Sequence, residues 1–150
     1  MKQLILFSCL YFLYSSNIVL AHTDDHEKSL YGFDLSKQDF HEIGGGYSKD
    51  NFQVYYRGKA IQDASSSSFN YLGGGYAKDN WHVFYRGNLI KDVSASSFKH
   101  LGDGYAKDNW RVFYRGKLIK DASALSFEYL KNGYAKDPWH QYYKGRAIKN

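Results

Sequence analysis

The 150-residue chain has one cysteine, one methionine and one proline. With Cys9 as its sole thiol, no disulfide can form within the chain, so packing alone must hold the fold. Long apolar runs are also missing: the run over residues 4–14 is broken by Ser15, Ser16 and Asn17, short of the roughly 20 residues that a membrane-spanning helix needs. No Gly-x-Ser-x-Gly nucleophile elbow occurs, and no glycine-rich phosphate loop leads into a helix. The glycine triplets Gly44-Gly45-Gly46 and Gly73-Gly74-Gly75 lie between strand-like segments, where they permit close backbone packing.

Rings are what the chain does have. With 15 Tyr, 10 Phe and 3 Trp, aromatics make up 19% of the sequence, and such side chains suit pleated surfaces better than helices. Residues 1–21 have the tripartite form of an export signal: Lys2, an apolar stretch, then Val19-Leu20-Ala21 as the cleavage site. The mature chain is expected to begin at His22, in a periplasmic or secreted setting, with residues 22–33 as a flexible leader and no membrane span after cleavage. Loss of Lys2 leaves 19 cations against 15 acids. That mild excess of positive charge favours anionic surfaces weakly, and an exported protein has little occasion to meet nucleic acid.

Aligned with itself, the chain repeats Gly46-Tyr47-Ser48-Lys49-Asp50, Gly75-Tyr76-Ala77-Lys78-Asp79, Gly104-Tyr105-Ala106-Lys107-Asp108 and Gly133-Tyr134-Ala135-Lys136-Asp137, at an unbroken spacing of 29. A regular period of this length marks an array in which each unit buries its neighbour's face. Residues 34–150 form the repeat domain, with one partial unit and four units starting near 46, 75, 104 and 133.

Within a unit, Trp81-His82-Val83-Phe84-Tyr85-Arg86 reads as a strand, hairpin-paired with residues 76–78. Gly87-Asn88 has the Gly-X form of a two-residue turn into a short strand around Leu89 and Ile90. The position of Asn51, Asn80 and Asn109 is Pro138 in the last unit, so the first turn places a negative φ there and Asp137 before it. Asp in the repeated Lys-Asp pair then serves backbone hydrogen bonds, and Lys is a solvated strand end. The serine-rich segments 63–68, 92–97 and 121–126 each open on Asp, predicting one capped helical turn. Phe69 and Leu72, with their counterparts, anchor that turn to the sheet. The fold class is all-β: tandem antiparallel hairpin or meander repeats with short helical turns between them, as an open or barrel-like array.

The recurring line Gly-Tyr-Ala-Lys-Asp-Asn-Trp-His-Val-Phe-Tyr-Arg-Gly resembles the DKNYY family of bacterial repeat proteins over residues 34–150. Lys78, Asp79, Asn80 and Phe84-Tyr85, with their counterparts, carry the motif. A single Asn or Pro followed by Phe or Trp stands where that family often has a further polar residue. The resemblance implies a repeat fold and a bacterial origin, and brings no established activity.

Strand alternation predicts two faces. Phe52, Val54 and Tyr56, with Trp81, Val83, Tyr85 and Trp110, Val112, Tyr114, form the expected core, and Gln141 replaces the valine in the terminal unit. The opposite face carries the candidate binding row Tyr55, Arg57, Phe84, Arg86, Phe113, Arg115, Tyr142 and Lys144. If exposed, its rings and cations form a platform for sugars or anionic cell-wall polymers; if buried, the rings lie under the Phe and Leu anchors while Arg reaches water. His82 and His140 share a column with Gln53 and Arg111, as solvated positions do. His22 could pair its imidazole with a free amine, as in copper-brace enzymes, but no second ligand stands out. No catalytic residue, metal site or cofactor is assigned. The expected role is a non-enzymatic protein-interaction module of the bacterial envelope, with an inhibitor or immunity partner of a secreted toxin in that class. A glycan or cell-wall binding module is the alternative, and exposed sheet edges would allow dimerisation.

Overall fold

A computed structural model describes residues 40–148. The expected export signal, the leader and His22 lie outside the described residues. The described residues form sixteen short strands in four sheets, each a four-stranded antiparallel meander in chain order. The first sheet contains His41–Gly44 (β1), Tyr47–Lys49 (β2), Val54–Tyr56 (β3) and Lys59–Ala60 (β4). Asn70–Gly73 (β5), Tyr76–Lys78 (β6), Val83–Tyr85 (β7) and Asn88–Ile90 (β8) form the second. The third is Lys99–Gly102 (β9), Tyr105–Lys107 (β10), Val112–Tyr114 (β11) and Lys117–Leu118 (β12). Glu128–Lys131 (β13), Tyr134–Lys136 (β14), Gln141–Tyr143 (β15) and Arg146–Ile148 (β16) complete the fourth. No described strand pairs outside its own sheet, so the array is open and no barrel closes. Part of the stretch read as an incomplete leading unit supplies β1, which makes the first sheet complete.

The core lies between successive sheets. Tyr47 and Val54 of the first sheet pack with Ala77 and Phe84 of the second, and Ile61 and Phe69 of the connector fill the gap. The same arrangement recurs at the next two junctions. Both faces of an internal sheet are therefore buried, Val83 toward the following sheet and Phe84 toward the preceding one. The connector Phe is clasped by one ring from each side: Phe69 lies 5.5 Å from both Tyr47 and Phe84, and Phe127 lies 5.7 Å from Tyr105 and 5.4 Å from Tyr142.

Several expectations are corrected. Phe52, Trp81 and Trp110 are exposed rather than core. The strands are only three residues long, so the residue two before each valine lies in the turn, where alternation no longer fixes its side. The second hairpin turn is Arg86-Gly87, one residue earlier than Gly87-Asn88, because Tyr85 pairs with Asn88. Both turn residues have positive φ, 49° and 78°, which matches the right-handed twist of the flanking strands. The helical turn shrinks to a 3-10 turn at Ser66–Ser68, where the Ser65 side chain makes no capping bond to the backbone. Asp63, Asp92 and Asp121 are not caps; each adopts a left-handed conformation just before its serine segment. Leu72 and Leu101 lie within strands β5 and β9 rather than on a helical turn.

Candidate functional site

The repeated aspartate has the burial of a catalytic group, yet all of its hydrogen bonds are structural. Asp79 is almost wholly buried. Its Oδ1 accepts the backbone N–H groups of Trp81 and His82 at 2.7 and 2.6 Å, closing its own turn. Its Oδ2 accepts the Ser65 N–H at 2.9 Å, from the connector before it. Asp108 and Asp137 repeat the pattern with Ser94 and Ser123. Burial pushes the Asp79 carboxyl up, but the three N–H donors outweigh it and hold the group below the ordinary carboxylate range. In the first three units the lysine before it is no solvated strand end: Lys49 and Lys78 donate to the Ser66 and Ala95 carbonyls at 2.7 Å, and Lys107 donates to that of Ala124, whereas Lys136 is exposed beside Glu128.

The tyrosine of each of the first three Gly-Tyr pairs ties its sheet to the next. The Tyr76 hydroxyl donates to the Gly104 carbonyl at 3.0 Å and accepts the Gly116 N–H at 2.8 Å. Tyr47 and Tyr105 form the same pairs, with Gly75 and Gly87 and with Gly133 and Gly145. Burial pushes the Tyr47 phenol up to about 12 and raises Tyr76 and Tyr105 as well. Beside this bond, a Cβ on Gly87 would lie 2.7 Å from that of Tyr56, so the turn must be glycine for the sheets to approach. A Cβ on Gly74 would likewise lie 2.6 Å from His100 Nε2, the close packing read from the glycine triplets.

The predicted binding row divides by residue type. Phe84, Phe113 and Tyr142 are buried and Tyr55 is half-buried, so the first three have no free ring face on which a sugar could stack. The Tyr142 hydroxyl donates to Asp137 Oδ2 and that of Tyr55 to Asp50 Oδ2, both at 2.9 Å. Arg57, Arg86, Arg115 and Lys144 are exposed, one per repeat, each at positive φ. Because these cations open a left-handed turn rather than continue the strand, they pair with the preceding tyrosines. The cationic groups lie 5.0 to 5.6 Å from the ring centres of Tyr56, Tyr85, Tyr114 and Tyr143. None of the four has a carboxylate partner among the described residues. Arg86, Arg115 and Lys144 line an open groove of about 540 Å³ with Tyr85 and Tyr114, and Asp103 supplies its one carboxylate. That carboxyl is held low by the Tyr129 hydroxyl at 2.8 Å and the Gly133 N–H at 2.7 Å.

A second row was missed by treating strand alternation as unbroken. Phe52, Trp81, Trp110 and Trp139 stand on the aspartate turns, 70, 76, 79 and 68% exposed. Trp139 directly follows Pro138, a signal that this ring belongs to a turn. The turn amides behind the rings are already bonded to aspartate, so these side chains are free to meet a partner. His82 and His140 lie 3.6 and 3.5 Å from the Asp79 and Asp137 carboxylates. Among the described residues, no three His, Cys, Asp or Glu side chains converge as metal ligands would.

These features define a stacked β-meander repeat protein, its buried polar groups joining unit to unit and its aromatic and cationic side chains displayed on turns. The chain belongs to the DKNYY family, whose model matches residues 12–117 and, overlapping, 77–146. No curated protein and no solved structure matches it. No helix of the described residues is long and apolar enough to cross a membrane.

Proposed function

We propose that this chain is an exported, non-enzymatic protein-interaction module of the bacterial envelope, and that the row Phe52, Trp81, Trp110 and Trp139 is its contact surface. The carrying observation is the exposure of four large rings at one position of every repeat, where burial would be worth about 1.5–3 kcal/mol each. Trp is among the residues most often dominating binding energy at protein interfaces, and a rigid repeat array presents such anchors at fixed spacing. An inhibitor or immunity partner of a secreted toxin falls within this reading.

All 3 tryptophans of the chain belong to the row, so indole fluorescence reads the surface directly. The free protein should emit as solvated indole, and the correct partner should shift that emission to shorter wavelength. Partners captured from the producing bacterium by the wild-type protein should be lost with the Trp81→Ser, Trp110→Ser, Trp139→Ser variant. Capture unchanged in that variant would overturn the assignment.

The cationic groove supports a second reading, a module for anionic glycans or cell-wall polymers. Its guanidinium groups have no carboxylate partner among the described residues and its tyrosines are partly exposed. Binding through it should weaken steeply with salt and be lost on Arg86→Gln with Arg115→Gln, leaving the tryptophan emission unmoved.

A further inference from the structure

The two ends of the array carry the two unmatched halves of its internal junction. At the C-terminal end, Tyr134 stands where Tyr47, Tyr76 and Tyr105 stand, yet it is 46% exposed and its hydroxyl has no partner among the described residues. Tyr143 occupies the position from which Tyr56, Tyr85 and Tyr114 pack on the next glycine turn, and it too is exposed. At the N-terminal end the receiving groups are open. Gly58 corresponds to Gly87, Gly116 and Gly145, but no described atom lies within 4 Å of where its Cβ would be. Gly46, the counterpart of Gly75, Gly104 and Gly133, whose carbonyls accept the tyrosine hydroxyls, is exposed. Phe40 lies 5.5 Å from Tyr55, as Phe69 does from Phe84, but no other described ring clasps its far side and Phe40 is largely exposed.

The repeat pattern does not extend upstream of the first described sheet. One period before Tyr47 and Tyr56 stand Ile18 and Glu27, where the Gly-Tyr and Tyr-Arg-Gly pattern is lost. We propose that the missing partner is a second copy of this chain, docked head to tail as one more repeat. The Tyr134 hydroxyl of one copy would bridge the Gly46 carbonyl and Gly58 N–H of the next, its ring would clasp Phe40, and Tyr143 would cover Gly58. The interface continues the established junction, and being heterologous it propagates instead of closing at a dimer. Gln141 stands where the other sheets place buried Val54, Val83 and Val112, so the end junction is weaker than the internal ones and reversible.

Light scattering and sedimentation of the purified protein over a wide concentration range test this. The wild-type mass should rise with concentration and pass beyond the dimer. Gly58→Asn keeps a residue that tolerates positive φ while its side chain blocks the incoming Tyr143, and Tyr134→Glu blocks the opposite end. Each variant alone should remain monomeric with unchanged circular dichroism, and a mixture of the two should form dimers and nothing larger. Gln141→Val should lower the concentration at which mass begins to rise, by about tenfold. A wild-type mass that stays constant, or self-association that stops at a dimer and survives in both variants, would overturn the proposal.

Discussion

The second and fourth sheets carry nearly the same residues and meet different fates. Tyr76 is sealed, bonded at both faces of its hydroxyl, and flanked by Phe98 at 5.5 Å. Tyr134, in the same local sequence and paired with the corresponding strand of its own sheet, is half in water. A residue here is buried by the unit that follows it, so its environment is decided 28 to 40 residues downstream. Stability is then a sum over junctions more than over sheets.

The sharpest way to break the contrast is to remove the carboxylate that serves two units. Asp79→Ala leaves the Ser65, Trp81 and His82 amides without an acceptor and should cost about 3 kcal/mol or more, as a lowered melting midpoint. Next is the hydroxyl itself. Tyr76→Phe strands the Gly116 N–H and leaves the Gly104 carbonyl with the Arg115 N–H alone, and should cost about 2 kcal/mol. Tyr134→Phe, measured in dilute protein, should stay within about 0.5 kcal/mol of wild type. Equal losses at the two positions would refute the junction account.

A smaller effect separates the second junction from the others by pH. His100 packs on Gly73 and Gly74, where Tyr71 and Tyr129 pack on Gly45 and Gly102. Burial, against an opposing backbone bond to Leu72 and the Asp103 charge, lowers its pKa from 6.5. The unfolded chain therefore binds the proton more readily than the folded one. Stability from this site is complete above about pH 6.5 and declines as pH falls from there toward the folded pKa. Thermal melts should show that loss in wild type and lack it in His100→Tyr. The smallest change concerns Arg86, at φ 49° in a turn that prefers Asn-Gly. Arg86→Asn should be stability-neutral or gain up to about 0.5 kcal/mol, since relief of strain offsets the lost contact with Tyr85. A clear loss on denaturant titration would show that the arginine holds the fold together.

The period, the all-β class and the aspartate turn were legible because each rests on local chemistry that the repeats print four times. Pro138 alone fixed the sign of φ in that turn. The misplaced tryptophans and the shifted Arg-Gly turn have one cause. Three-residue strands leave too few positions for alternation to establish which side chains face inward, and neither Trp81 nor Arg86 lies within β7. The contacts of the cations were not legible either, because a left-handed residue points its side chain back across the preceding ring. Junction bonds such as that of Tyr76 to Gly116 join residues 40 apart with no local mark. Only the identity of the spacing in every unit hinted that something outside the unit required them.

The tyrosine bridges also determine how the molecule responds to tension. Each ties a sheet only to its immediate successor, so a pull on the last strand loads one junction at a time. Each rupture frees one 29-residue period, about 100 Å of extended chain. Held between a fixed anchor and a moving one, the array pays out length in equal increments while the sheets nearer the anchor keep their shape.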